Sequence, residues 1–314
     1  MAFAVLGSDS VPSSSVSPTL LLVLGAPGET DYGSNFVRQA RLWEQVARQA
    51  GAPVLQIGLD SAAEPDDRER LKQTLTIQAR ETTNPLWLVL IGHGTFDGHE
   101  ARFNLRGPDL TAAALAAWLQ PFRRPLASLT TASASAPFLA KLSATNRVVI
   151  TATRSGNEQN YTRFGQYLAE ALADPASDLD QDQQISLLEA FLNASHRVAE
   201  FYKTEGRLAT EHALLDDNGD GLGTPADWFR GLRPVKKARD GATLDGPYAH
   251  QFVLVLSPAE QGLPPQVRAR RDALELEVAR LRESKSRLPE TQYYQKLEAL
   301  LLMLADLQAA NEKP

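Results

Sequence analysis

The chain has 314 residues, no cysteine and a formal net charge of −6 at pH 7. The missing cysteine excludes disulfides, zinc–thiolate sites and any thiol nucleophile. The acidic balance argues against a nucleic-acid partner, and no apolar run approaches the roughly 20 residues that span a bilayer.

Residues 1–18 are rich in Ser and Pro and read as a disordered leader. Met1–Leu6 lacks basic flanks and is too short for a signal peptide. Thr19–Gly25 is a buried-type strand. Residues 33–50 place Phe36, Ala40, Trp43, Val46 and Ala47 at helical spacing. A second strand covers Val54–Leu59, and a charged helix 65–81 starts at Glu64-Pro65. Pro85–Ile91 is a third strand, running into Gly92-His93-Gly94. Thr111 caps a helix through Leu119. A fourth strand at 126–132 leads into Ser133-Ala-Ser135-Ala136, and a short helix follows at Phe138–Leu142. Arg147–Ala152 is a fifth strand and Tyr161–Leu172 another helix. Apolar strands alternating with amphipathic helices predict a mostly parallel sheet covered on both faces. Sites in such sheets form at the carboxyl ends of the strands, where His93 and Ser133 both fall.

Beyond residue 174 the chain turns to Asp-rich loops around a helix at 187–204. An apolar run, His250–Leu256, reads as a strand rejoining the sheet edge. Ser257–Pro265 is a linker. At 263–311 two helices split at Leu288-Pro289, with stripes Val267, Leu274, Val278, Leu281 and Leu297, Leu300, Leu301, Leu304, Leu307. They predict an antiparallel hairpin. The stripes suit packing on the main domain as well as self-association or partner binding through these helices.

The acidic loops at 178–189 and 216–227 fit calcium-loop frames. In the first, Asp178, Asp180 and Asp182 supply hard oxygens, and Glu189 is placed to close the shell. Gln183 stands where Gly normally permits the turn. In the second the candidate ligands are Asp216, Asn218, Asp220 and Asp227, with Gly221 at the turn and Pro225 questioning a following helix. The sequence therefore allows structural calcium, and the alternative is a pair of solvated acidic turns with capping aspartates. Nothing else places the chain in a compartment; calcium sites would favour an extracytoplasmic one. His99, His196, His212 and His250 lack metal-ligand spacing. Arg123-Arg124 and Lys236-Lys237-Ala-Arg239 read as short solvated basic patches.

Leu90-Ile-Gly-His93-Gly94-Thr-Phe-Asp97-Gly resembles the His-Gly segment of the legumain-type and caspase-type peptidases, the superfamily that also holds the gingipains. Thr131-Ala-Ser133-Ala-Ser135-Ala136 is similar to the legumain-type Glu-Ala-Cys-Glu-Ser-Gly, and Val148–Ser155 resembles the strand and loop that follow in that family. The resemblance covers residues 19–257 in strand order. It implies a caspase-like three-layer α/β sandwich with the C-terminal helical hairpin appended. It further implies a His93–Ser133 dyad, an oxyanion site from the N–H groups of Gly94 and Ser133, and a substrate-binding wall near Arg154 and Ser135. The departures are Ser133 for Cys, Ala136 for Gly, and no acidic residue before Ala132.

A thiol with a reference pKa near 8.5 provides thiolate at neutral pH, whereas a serine hydroxyl needs a close, oriented base. Asp97 is a candidate to orient His93. Two functions follow: hydrolysis of peptide or protein substrates by His93 and Ser133, or a pseudo-peptidase that binds peptides or proteins without cleaving them. The serine reads either as natural loss of the sulfur or as an engineered inactivation, and the total absence of cysteine favours the first. Two plainer readings stand beside the dyad. His-Gly after a strand is a common turn, and Ser133 or Ser135 fits as the N-cap of a helix at 136–143.

Overall fold

The computed structural model describes residues 17–60, 66–81, 83–241 and 243–311. Residues 1–16 of the expected leader and the expected helix start at Glu64-Pro65 lie outside the described residues.

In chain order, β1 (Thr19–Leu24) leads to α1 (Thr30–Gln49), β2 (Val54–Ile57), α2 (Asp67–Gln78) and β3 (Leu86–Ile91). Three short strands follow: β4 (Gly94–Phe96), β5 (Ala101–Phe103) and β6 (Leu110–Thr111). Next come α3 (Ala112–Leu119), β7 (Leu126–Thr130), α4 (Ala136–Leu142), β8 (Arg147–Thr151), α5 (Phe164–Ala173), α6 (Leu187–Thr204) and β9 (Leu214–Asp216). The chain closes with the ribbon β10 (Phe229–Arg230) and β11 (Arg233–Pro234), then α7 (Pro247–His250), α8 (Pro258–Gly262), α9 (Pro265–Glu283) and α10 (Glu290–Asn311).

The central sheet has the order β2-β1-β3-β7-β8-β9. Its first five strands are parallel, and β9 runs antiparallel to β8. Successive strand side chains point to opposite faces. Leu20, Leu22, Trp87 and Val89 therefore join one core with Phe36 and Trp43 of α1, Phe164 of α5 and Phe191 of α6. Leu21, Val23, Leu88 and Leu90 join the other with Leu71 of α2, Leu115 of α3 and Phe138 of α4. The result is a three-layer α/β fold with a mostly parallel sheet, as the strand and helix alternation predicts. Strand order reverses between β1 and β3, and the carboxyl ends of strands at such a reversal are where sites form in open parallel sheets.

The structure differs from the sequence expectation at three places. The apolar run 250–256 is not a sheet strand, because β9 already occupies the β8 edge. That segment ends α7 and then buries Phe252 and Leu254 in the core, touching Ser186 through a single bridge at Val253. Arg124 is not solvated: it is 2% exposed, and its guanidinium donates to the Gln78 side chain at 2.8 Å and the Pro85 carbonyl at 3.1 Å. The expected linker at 257–265 contains α8, with the Ser257 hydroxyl capping the Glu260 N–H.

At the C-terminal end, α9 and α10 lie side by side. Arg270 lies against Met303, and Lys285 lies over the rings of Tyr293 and Tyr294, the register of an antiparallel pair. Leu274, Val278 and Leu281 of α9 are buried. Among the described residues no helix is long and apolar enough to cross a membrane.

Candidate functional site

The site grows from the carboxyl ends of β3 and β7. Thr131 ties them together: its N–H and its hydroxyl both donate to the Leu90 carbonyl, at 3.0 and 2.9 Å. Gly94 and Phe103 face each other across β4 and β5, and the neighbouring ladder bond runs from Asn104 N–H to the His93 carbonyl. Gly94 is thus at a non-hydrogen-bonded position, and its own N–H and C=O point away from β5. They meet Ser133. The Gly94 N–H donates to Ser133 Oγ at 3.1 Å, and Ser133 Oγ donates to the Gly94 carbonyl at 3.0 Å. Ser133 is 3% exposed. A Cβ at position 94 would stand 2.2 Å from the Ser133 carbonyl oxygen, so only glycine permits this approach.

His93 is half-buried beside this pair. Its ring meets Tyr32 edge-on at 4.8 Å, Phe36 at 5.2 Å and Tyr161 at 6.3 Å, and Tyr32 stacks on Tyr161 at 5.1 Å. Burial pushes the imidazole below the usual histidine range; a hydrogen bond to the Pro27 carbonyl and the Glu29 charge oppose that shift. The hydroxyl of Ser133 is engaged by Gly94, and among the described residues no hydrogen bond joins it to the His93 ring.

Ser135 is 1% exposed. Its hydroxyl accepts the Thr153 N–H and shares a hydrogen bond with Thr153 Oγ1, both at 3.2 Å. Thr153 Oγ1 in turn accepts the Ala136 N–H at 3.1 Å, so Thr153 serves the start of α4 where the sequence suggests a serine cap. Between the serines, Ala134 has a φ of 53°, in the left-handed region. Its N–H is fixed to the Glu158 carbonyl at 2.7 Å.

Arg154 lies on the rim, with its side chain 61% exposed and paired with Glu158 at 3.4 Å. Glu158 also bonds His212 at 2.6 Å. Asp97 serves its own turn: it accepts the N–H groups of His99 and Glu100 and pairs with Arg102 at 2.8 Å. These bonds hold its carboxyl well below the usual range.

In the first acidic loop, Asp178, Asp180 and Asp182 bring carboxylate oxygens within 4.8 Å of one another. Gln183 takes a left-handed φ of 68°, the conformation for which glycine is usual. Glu189 is engaged: it accepts Leu179 N–H at 2.7 Å and forms a capping box with Ser186. His250, which the sequence treats as ordinary, bonds Asp180 at 3.0 Å and converges with Asp180 and Glu189. In the second loop, Asp216 accepts the N–H groups of Gly219 and Gly221, and the Asn218 side chain accepts Asp220 N–H. Asp227 is exposed in a turn at Ala226–Trp228. The Asp245 carboxylate instead reaches into this loop, accepting from Asp217 N–H and the Thr224 hydroxyl.

Sequence reasoning misses Tyr32, Tyr161, Glu158 and Thr153. Tyr32 carries one local signal, its position four residues before the buried Phe36 on one helix face. Glu158 and Thr153 reach the site through the loop after β8, which carries no periodic signal. Tyr161, expected as the first residue of a helix, lies in that loop because α5 starts only at Phe164.

Among solved structures, the chain aligns with protein GSU0716 from Geobacter sulfurreducens at a TM-score of 0.41 and 14% identity, covering 58% of this chain and 89% of that one. It aligns with caspase-1 from Spodoptera frugiperda at 0.43 and 10% identity, covering 69% and 94%. With the Drosophila initiator caspase Dronc the values are 0.47 and 14%, covering 70% and 89%. No family model and no curated protein matches the sequence.

Proposed function

We propose that this chain is a caspase-like peptidase homologue that binds peptide or protein partners without cleaving them. The reading rests on where Ser133 directs its hydroxyl. A serine nucleophile must hand its proton to an oriented base. Here the proton lies toward the Gly94 carbonyl, and the Gly94 N–H, the expected oxyanion donor, is taken up by the same Oγ. His93 sits among aromatic rings, and among the described residues no hydrogen bond joins its ring to Ser133.

A serine-directed fluorophosphonate probe tests this. The wild-type chain is expected to remain unlabelled and to leave a peptide library intact. Labelling that disappears in Ser133→Ala would overturn the proposal.

One observation favours the hydrolase reading: Ala134 holds a left-handed φ beside Ser133, and such strain gathers at functional sites. The variant Ser133→Cys separates the two, since a restored thiolate needs less help from His93. Cleavage by that variant alone marks a hydrolytic frame that has lost its nucleophile.

A further inference from the structure

A groove of about 800 Å³ lies between the second acidic loop, the β11 segment and the C-terminal hairpin. Its apolar lining includes Leu232, Tyr248, Leu276 and Ala279. Arg233, Arg280 and Arg282 stand around it, all exposed. Their environment differs from that of Arg268 and Arg271 on α9, whereas Arg270 of that helix lies against Met303. Arg268 and Arg271 are neutralised by Glu260. No ion pair neutralises Arg233, Arg280 or Arg282 among the described residues. The carboxylates nearby are engaged elsewhere: Glu283 pairs with Lys237 at 3.4 Å, and Asp217 accepts the N–H groups of Gly246 and Ala249. On a chain of net charge −6, this is a concentration of unmatched positive charge around an apolar floor.

We propose that the groove binds an acidic peptide segment of a partner protein. The partner's carboxylates pair with the three arginines, whose planar forks suit carboxylate oxygens. An apolar side chain between them lies on Leu232, Leu276 and Tyr248. The volume falls within the range of ligand pockets, and arginine and tyrosine are enriched in protein interfaces. This deepens the binding reading of the proposed function by naming the surface. The two fail separately, because labelling at Ser133 says nothing about this groove.

The test is fluorescence polarisation with a labelled peptide, Glu-Asp-Leu-Glu-Phe-Asp-Glu, and its Gln/Asn counterpart, on the full chain. The acidic peptide is expected to bind at least about tenfold more tightly, with the difference shrinking as salt rises. Arg280→Glu with Arg282→Glu should weaken it at least about tenfold while the melting temperature holds. Ala279→Trp, which fills the groove without changing charge, should also weaken it. Unchanged affinity in a folded Ala279→Trp variant, or equal binding of both peptides, overturns the proposal. So does a 12-nucleotide polyuridine that displaces the peptide at lower concentration than unlabelled peptide does.

Discussion

Ser133 and the peptide group of Gly94 form a closed pair, with Gly94 N–H to Oγ at 3.1 Å and Oγ to the Gly94 carbonyl at 3.0 Å. Both residues are buried. The pairing exists because β4 leaves the polar groups of Gly94 unpaired on that side, and a hydroxyl both accepts and donates. The side chain at the nucleophile position thereby supports the fold. Ser133→Ala would leave the buried Gly94 N–H without a partner, at a cost of about 1–3 kcal/mol. Urea unfolding measures this, and a variant as stable as wild type would show the pair to be idle.

His93 should titrate below the reference value of about 6.5, because burial strips water from the charged ring. Between the folded and unfolded values, the folded chain then binds fewer protons than the unfolded chain. The neutral histidine therefore contributes stability above about pH 6.5 that is lost as pH falls. The ring-proton chemical shift of His93 followed against pH reports this directly. Tyr32→Ala admits water and should move the titration back upward. A wild-type midpoint at or above the reference would refute the burial argument.

The layers are legible in the sequence because they rest on periodicity. Leu20 to Leu24 and Trp87 to Ile91 are continuous apolar runs, and the helix at 187–204 appears with those bounds. The placement of His93 and Ser133 at strand ends is legible for the same reason. Their hydrogen bonds are not, since these depend on the ladder phase of β4, a strand of three residues. The run 250–256 misleads because apolar content reports burial without saying whether the neighbour is a strand. Arg124 misleads because charge pattern cannot show that backbone carbonyls surround a guanidinium.

Asp217 and Asp245 form a buried pair whose carboxyls are pushed upward by burial, with mutual repulsion adding to the shift of Asp245. They titrate together. The folded state holds protons that the unfolded carboxylates have already lost above about pH 4. Stability should therefore fall as pH rises from there into the raised folded range. Asp245→Asn removes one charge and keeps an acceptor for Asp217 N–H, so it should flatten that fall and be more stable than wild type at pH 8. Urea midpoints at pH 5 and 8 test this, and an unchanged slope would count against the pair.

Calcium should act weakly and through the first loop. Asp178, Asp180 and Asp182 converge, and their mutual repulsion is relieved by a cation. Glu189, which would close the shell, is committed to Leu179 and Ser186. Engaging calcium through Glu189 would break that capping box, so affinity is expected in the weak range of about 10⁻⁴–10⁻³ M. The second loop already satisfies Asp216 with two amides and leaves Asp227 exposed. Millimolar calcium should raise the melting temperature, and the stabilisation would reach about 2.7 kcal/mol only at a hundredfold excess over Kd. Asp180→Asn should remove most of the rise, whereas Asp227→Asn should leave it intact. A melting temperature that neither calcium nor chelator moves would reduce both loops to hydrogen-bonded turns.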